Sequence, residues 1–326
     1  MHFILRRACL AIVSLFLVSF ICFTAFDVIA GDPASLLLGT EASAEQLAAL
    51  REEMGLNNNA IHRYFKWLID FCSGDAGNSL RFRGEPVAGL IQSRLPVSAA
   101  LALMSLLFVL LIAVPTALFS ARREGGSIDR LINSCVAIGI SVPNFFLGIL
   151  FIWVFGVSFS LFRPGLFIDY SESMAGFLAC LCFPALAIAL PNAALLAKFL
   201  RNALLQELTG AYVRTALCKG AKFTTVLRRH ILPNALVPSL AVLGMIVAEV
   251  FSGSIIIEQV FNIPGLGRLL LTAIMSRDYP LIQSLVVYMA WVVVLVHALI
   301  DIAIQVIDPR IRLGQFSPRT NNGELA

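Results

Sequence analysis

Charged side chains are scarce in this sequence: Asp, Glu, Lys and Arg make up 13% of its 326 residues, about half the usual share in soluble domains. Hydrophobic residues make up 59%, and the mean hydropathy is +0.86. Polar side chains are too few to cover a water-facing surface, which excludes an ordinary soluble protein. The composition instead predicts an all-α integral membrane protein, because a helix satisfies its own backbone hydrogen bonds inside lipid.

Motifs for catalysis or metal binding are absent as well. The sequence contains no G-x-x-x-x-G-K-[ST], no H-E-x-x-H and no G-x-S-x-G. Its seven cysteines are scattered, and Cys180 and Cys182 are spaced so that they do not face one ligand on a helix. We therefore expect no catalytic residues, no metal site and no cofactor bound by this chain. The net charge of +4 gives no reason to expect a nucleic-acid partner.

Long apolar runs, in contrast, are frequent. A hydrocarbon core about 30 Å thick is crossed by about 20 helical residues. The first run could also be a cleaved signal peptide, but its apolar core is longer than that of a signal and no A-x-A site follows it. We predict six transmembrane helices, within residues 8–29, 96–120, 131–159, 177–197, 233–257 and 281–307.

The basic residues predict the orientation of these helices. With the spans alternating in direction, 15 of the 24 Lys and Arg fall on the side of the N-terminus, and most of the others fall in one long loop. Short cytoplasmic loops carry an excess of basic residues, whereas long loops obey this rule weakly. We therefore place both termini in the cytoplasm.

The sequence divides into three parts. Residues 1–30 hold the N-terminus and the first span, residues 31–95 are polar and are expected to form a small helical extracytoplasmic cap, and residues 96–326 hold the other five spans. In the cap, Ser43 and Gln46 have the spacing of a capping box, with Gly55 at the expected helix end. A second cap helix is indicated at residues 61–71, and we expect the cap to pack on the outer ends of the spans.

Small and polar residues inside the spans indicate where helices pack and where a pathway could run. Alanines recur every four residues at 185, 189, 193 and 197, which favours close helix packing in lipid. Pro115, Pro143, Pro184 and Pro191 interrupt apolar runs, which indicates either kinked helices that line a pathway or ordinary bent helices of a bundle. Asn144 and Glu249 lie deep in spans, where polar groups are costly, so both are candidates for the translocation pathway. Alternatively, Glu249 pairs with His297 on a neighbouring helix.

A basic, amphipathic segment at residues 200–232, called the basic loop below, joins the fourth and fifth predicted spans. Its pattern indicates two short helices broken at Gly220, because glycine permits the sharp turn between them. Pro233 would begin the next span, where its missing N–H costs nothing. The physical pattern leaves two interpretations open: a dock for a partner protein, or an interfacial helix held by anionic lipid.

The basic loop resembles a known motif. Ala216, Gly220 and Leu232-Pro233 have the spacing of the EAA loop of binding-protein-dependent ABC importer permeases. Arg214-Thr215-Ala216 stands where many members have Glu-Ala-Ala, and His230 stands where many have an aliphatic residue. Both departures are similar to the dipeptide, oligopeptide and nickel branch. The resemblance covers nearly the whole chain, including residues 31–34, 263–267, 277–280 and 308–312.

This resemblance implies a function and a set of partners. The chain would have the type I ABC importer permease fold and would form half of a translocation pathway for di- or oligopeptides, or alternatively for nickel chelates or opines. A second, different permease subunit would complete the pathway in the cell inner membrane. Two cytoplasmic ATP-binding subunits would use ATP and Mg and would bind the basic loop, and an extracytoplasmic binding protein would deliver the substrate.

The resemblance also implies roles for individual residues. Those expected in the outer loop and gate are Pro264, Gly265, Gly267 and Asp278. Coupling to the ATPase is expected from Tyr212, Arg214, Thr215, Ala216, Lys219, Gly220, Arg228, Arg229, His230, Leu232 and Pro233.

Two other classes of function remain open at this point. In a secondary transporter driven by an ion gradient, Asp27, Glu249 and Asp301 would be the coupling sites. Such transporters often contain inverted repeats, and no convincing repeat relates residues 1–160 to residues 161–326. A membrane receptor that binds ligand through its cap would leave the basic loop unexplained.

Overall fold

The computed structural model describes residues 2–30, 43–53, 59–82 and 84–307, and within these residues every regular element is a helix. The expected all-α class is therefore confirmed. Two π-helical turns, Ile152–Ser158 and Leu227–Ile231, follow α6 and α9. The helices are α1 (His2–Ala30), α2 (Ala44–Glu53), α3 (Ala60–Ser73), α4 (Val87–Arg122), α5 (Ser127–Ser141), α6 (Asn144–Phe151), α7 (Met174–Leu208), α8 (Ala211–Cys218), α9 (Phe223–Val226), α10 (Leu232–Val260), α11 (Leu266–Ser276) and α12 (Tyr279–Ile307).

Five helical stretches in this part of the chain are long and apolar enough to cross a membrane. They are Ala8–Phe26 within α1, the whole of α4, the whole of α7, Phe223–Val260, and Tyr279–Ile300 within α12. A sixth candidate is α5 together with α6 and its π-helical turn, whose two halves meet at an angle of 99°. The expected six spans are recovered when this bent pair counts as one.

The predicted span over residues 131–159 is divided at Pro143 into two helices. Helix α5 ends before Val142, which is extended (φ −90°, ψ 122°), and α6 begins after Pro143. A residue before proline avoids the helical conformation, and proline has no N–H with which to continue the hydrogen bonding. Pro143 therefore breaks its span, whereas Pro184 is accommodated inside α7.

Helix α7 lies at the centre of the bundle and packs against α4, α5, α6 and α10. The alanines at 185, 189, 193 and 197 are at most 3% exposed, which confirms the expected close packing. The helices approach so closely that a Cβ on Gly139 of α5 would lie 3.0 Å from the Cβ of Ala194. In lipid, such packing stabilises a bundle in place of hydrophobic association.

The helices extend beyond the predicted limits of the spans. Helix α4 begins at Val87, so the last residues assigned to the cap continue without a break into the second span. Helix α7 runs to Leu208 and takes in the first part of the basic loop. Hydropathy marks where lipid ends, whereas the Ala, Leu, Arg, Gln and Glu residues of the loop favour a helix that continues past that point.

The cap helices begin as predicted, and the packing of α3 is defined by its contacts with α1. Ser43 and Gln46 form the capping box of α2 with N···O distances of 3.2 and 3.1 Å, and the expected helix end at Gly55 lies outside the described residues. Helix α3 packs beside the middle of α1, where the Tyr64 hydroxyl lies 2.8 Å from Ser19 Oγ. The cap was expected to pack on the outer ends of the spans; α3 packs along α1 instead, whereas the segment around Ser79 contacts Asp278 at the start of α12.

Candidate functional site

The basic loop is anchored by an apolar inner side. Val213 of α8 is buried, and so are Val226, Leu227 and Ile231 around the π-helical turn after α9. These side chains form one cluster with buried residues at the adjoining ends of two long helices: Ala117 and Ala121 of α4, and Leu200 and Leu204 of α7. The loop is therefore packed on the spans rather than free in solvent.

The turn at Gly220 confirms the predicted break. Gly220 has φ +83° and donates its N–H to the Leu217 carbonyl at 2.9 Å, while Ala221 donates to Ala216 at 3.2 Å. No atom lies within 4 Å of the position that a Cβ on Gly220 would occupy. Glycine is required here by the backbone conformation and not by lack of space.

The second short helix predicted in the loop is not a separate element. Helix α9 has only four residues and runs through the π-helical turn into α10, so that Phe223–Val260 forms one helical stretch. Pro233 lies in the first turn of α10, directly after the π-helical turn Leu227–Ile231. Regular α-helical hydrogen bonding is interrupted there, so the missing N–H of Pro233 is tolerated. Pro233 therefore does not interrupt the helical stretch that joins the basic loop to α10.

The outer side of the basic loop combines exposed apolar and basic residues. Tyr212, Leu217 and Phe223 are 39%, 40% and 39% exposed. Of the residues expected to couple to the ATPase, Ala216 and Leu232 are partly buried. The exposed ones are Tyr212, Arg214, Thr215, Lys219, Gly220, Arg228, Arg229, His230 and Pro233.

Tyr212 also has a role within the chain. Its hydroxyl donates to Glu207 Oε2 at the end of α7, and the side-chain amide of Asn234 at the start of α10 lies 3.4 Å from both groups. Burial and the hydrogen bond to Glu207 raise the pKa of Tyr212 above its usual range. These contacts join α8 to both helices that flank the loop.

A buried ion pair next to the loop escaped the sequence analysis. Arg201 Nη2 donates to Asp129 Oδ2 at 2.7 Å, and Arg201 Nε donates to Asp129 Oδ1 and Ser120 Oγ at 3.0 and 2.9 Å. Asp129 is 3% exposed and also accepts the Gly125 N–H at 3.0 Å. The pair joins α4, α5 and α7, and its only sequence signal is an aspartate in the first turn of a helix.

A second site that the sequence analysis missed lies at the other end of α10. Glu258 is fully buried and accepts hydrogen bonds from Ser98 Oγ at 2.6 Å and from the Arg268 N–H at 3.0 Å. Ser98 Oγ in turn accepts the Leu266 N–H at 2.8 Å. Because the N-cap residue Gly265 offers no side chain, Ser98 and Glu258 satisfy the first N–H groups of α11 from other helices.

The glycines predicted for the outer gate are needed for this contact. A Cβ on Gly265 would overlap the Glu258 carboxylate, and a Cβ on Gly267 would overlap the backbone of Ile255. Pro264 precedes them in the turn between α10 and α11. The structure thus places three of the four predicted gate residues around Glu258, which the sequence analysis did not single out.

Asp278, the fourth predicted gate residue, holds a separate contact. It is fully buried between α11 and α12 and accepts the Ser79 hydroxyl and the N–H groups of Leu80 and Arg81, the latter two at 3.2 Å. Asp278 therefore fixes the last cap segment to the corner before α12.

The two candidates for the translocation pathway, Asn144 and Glu249, differ in burial. Asn144 is partly buried against α10, where a Cβ on Gly253 would lie 2.7 Å from its Nδ2. Glu249 is exposed on α10 and has no hydrogen-bond or ion-pair partner among the described residues. No hydrogen bond or ion pair joins Glu249 to His297, both of which lie in the described part of the chain; His297 Nδ1 lies 3.0 Å from the Val293 carbonyl. The side chains of Asp27 and Asp301 lie outside the described part of the chain.

Comparison with known proteins points to one family. The binding-protein-dependent transport system inner membrane component family matches residues 113–313, and the N-terminal part of such components matches residues 1–102. A probable peptide ABC transporter permease protein, y4tP, of Sinorhizobium fredii is 34% identical over 310 residues, which cover 95% of this chain and 99% of that protein. The oligopeptide transport system permease protein AppB of Bacillus subtilis is 34% identical over 311 residues, with 95% and 98% covered.

A solved structure shares the fold. A chain of the MetNI methionine ABC transporter in an inward-facing conformation matches with a TM-score of 0.57 and 18% identity, covering 68% of this chain and 98% of that chain. This likeness confirms the expected type I importer permease fold. The chain belongs to the family of binding-protein-dependent transport system inner membrane components, the permeases of ABC transporters.

Proposed function

We propose that this chain forms half of the translocation pathway of an ATP-driven importer for di- or oligopeptides in the cell inner membrane. The names of relatives at 34% identity support peptides as the substrate class. A second, different permease would form the other half, an extracytoplasmic binding protein would deliver the peptide, and both termini would be cytoplasmic. Nickel chelates or opines are the alternative cargo, and calorimetry on the binding protein with each class of ligand would decide between them.

The basic loop is the observation that carries this proposal. Its inner side is buried on α4 and α7, while Tyr212, Leu217 and Phe223 remain exposed among arginines and lysines. Exposed aromatic and apolar side chains within a polar rim are typical of a protein interface. Two ATP-binding subunits that use ATP and Mg would dock on this loop and on its counterpart in the second permease. This chain would bind neither ATP nor metal.

Reversing two charges tests the dock. The variant R228E/R229E should lose co-purification of the ATP-binding subunits and ATP-dependent peptide uptake into membrane vesicles, because both arginines are exposed on the loop. The matched control is R122E/R123E, a second exposed arginine pair that lies at the end of α4 and outside the loop. Equal retention of the ATP-binding subunits by both variants would contradict docking at the loop.

A substitution at Gly220 tests transmission of movement. Gly220→Val places a β-branched residue at φ +83°, where it is strained, and should reduce uptake while leaving the protein inserted. Gly74→Val creates the same kind of strain at φ +95° at the end of α3, also with no atom within 4 Å, and should leave transport intact. Normal uptake with Gly220→Val would overturn the role assigned to the loop.

Glu249 and Asn144 are proposed to face the pathway. A carboxylate exposed on a membrane-spanning helix is costly in lipid, so we place Glu249 against water in the pathway or against the second permease. An ion-coupled secondary transporter would use the same carboxylate as its coupling site. Uptake that persists after complete ATP depletion, with the ion gradient intact, would favour that alternative.

A further inference from the structure

Helix α3 has apolar residues on more than half of its circumference. At 100° per residue, Tyr64, Trp67, Leu68 and Phe71 form one flank, and Ile61, Phe65 and Ile69 form the next. The first flank packs on α1 and α12, with Tyr64 and Leu68 buried. The second flank is bare: Ile61, Phe65 and Ile69 are 57%, 50% and 66% exposed. His62 and Lys66 lie on the opposite, polar side of the helix and are exposed.

The contacts of the first flank place α3 beside the lipid-spanning part of its neighbours. The Tyr64 hydroxyl lies 2.8 Å from Ser19 Oγ and donates to the Phe16 carbonyl at 3.2 Å. Both partners belong to the apolar stretch Ala8–Phe26, and Ser19 lies about 10 Å from its Phe26 end at 1.5 Å per residue. Helix α3 therefore does not stand above the membrane surface.

The other end of α3 also contacts a spanning helix inside its apolar stretch. The ring of Phe71 packs edge-on against Trp291, with 5.4 Å between the ring centroids. Trp291 lies well inside the apolar stretch Tyr279–Ile300 of α12, about 18 Å along the helix from Tyr279. Both ends of α3 are thus fixed to spanning helices at positions inside their apolar stretches.

The bare flank lies beside an exposed apolar surface of α1. Along α1, Val13, Phe16 and Phe20 are 60%, 47% and 47% exposed, and little of the apolar stretch of α1 is covered by protein. We propose that α3 is an interfacial helix, inserted so that Ile61, Phe65 and Ile69 contact phospholipid acyl chains. Lys66 and His62 then extend toward the lipid phosphates from the polar side of the helix, as long polar side chains do near a membrane surface.

This insertion is independent of the transported solute and does not rest on the proposed function; only the leaflet depends on the orientation of the chain. It gives the polar segment between α1 and α4 a fixed attachment to the bilayer. Exposed side chains carry the proposal; Phe65 also contacts the buried ring of Tyr64, with 5.3 Å between the ring centroids, so Ile69, at 66% exposed, serves as the second position.

Spin labelling tests the proposal. Single cysteines replace Phe65, Ile69 or, as the control, Lys66 in a chain whose seven native cysteines are changed to serine or alanine. Each variant is purified with its partner subunits, labelled with a nitroxide and reconstituted into vesicles of phosphatidylethanolamine and phosphatidylglycerol. Collision of the nitroxide with oxygen, which concentrates in lipid, is compared with its collision with a water-soluble nickel chelate.

The expected result is a ratio of oxygen to nickel accessibility several-fold higher at positions 65 and 69 than at position 66. A high nickel accessibility at position 65, equal to that at 66, would overturn the proposal by showing that the flank faces water. Low accessibility to both reagents at 65 and 69 would also overturn it, because a protein partner would then cover the flank. Unchanged helix content, measured by circular dichroism on the same preparations, shows that each variant is folded.

Discussion

Replacing Glu258 with alanine should destabilise the protein by about 3 kcal/mol, whereas Glu249→Ala should change stability by less than about 0.5 kcal/mol. Both glutamates lie on α10, but Glu258 is fully buried and Glu249 is exposed. Without the carboxylate, the Ser98 hydroxyl and the Arg268 N–H lose their acceptor, and each buried donor left unsatisfied costs about 1–3 kcal/mol. Relief from burying the carboxylate itself offsets part of that sum.

The free energy of unfolding can be measured by titrating SDS into the protein in mixed micelles, with helix content as the signal. Glu258→Gln keeps one acceptor oxygen for two donors and should fall between the wild type and Glu258→Ala. Equal free energies of unfolding for Glu258→Ala and Glu249→Ala would refute the role assigned to Glu258. Such a result would mean that the first N–H groups of α11 are satisfied without it.

Three further predictions concern other contacts and use the same unfolding assay. Asp129→Ala leaves Arg201 without its carboxylate partner and should lower the free energy of unfolding by about 3–5 kcal/mol. The double variant Asp129→Ala/Arg201→Met should recover part of this loss, and no recovery would argue against a paired charge. Gly267→Ala should cost about 1–3 kcal/mol because its Cβ meets backbone, while Gly89→Ala, in an open helical position, should be neutral or stabilising. The raised pKa of Tyr212 means that the folded state keeps the phenol protonated after the unfolded state begins to lose its proton, at about pH 10. Wild-type stability should therefore fall more steeply than that of Tyr212→Phe as the pH rises through that range, and parallel curves would contradict the shift.

The features that the sequence predicted well are those with a local cause. The alanine spacing in α7 and the turn at Gly220 depend on residues that are neighbours in the chain, and both are present as expected. The capping box of Ser43 and Gln46 is of the same kind. Apolar runs located the spans because lipid selects for them over about 20 consecutive residues.

The features that the sequence did not predict depend on residues far apart. Glu258 resembles any loop glutamate until α10, α4 and α11 bring it to Ser98 and the Arg268 N–H. Arg201 was counted as a loop charge, and only the packing of α5 on α7 shows that Asp129 buries it. Pro143 was expected to bend its span, but the 99° angle depends on how the two halves pack on α7 and α10.

The unbroken stretch Phe223–Val260 has a mechanical consequence. It contains 38 residues and is about 57 Å long at 1.5 Å per residue, from the surface of the basic loop to the turn held by Glu258. A stiff rod of that length acts as a lever, and a tilt of about 5° around one end displaces the other by about 5 Å. We therefore expect a movement of the loop to reach the opposite side of the bilayer directly, because the hydrogen bonds of Glu258 attach the far end of this stretch to α4 and α11.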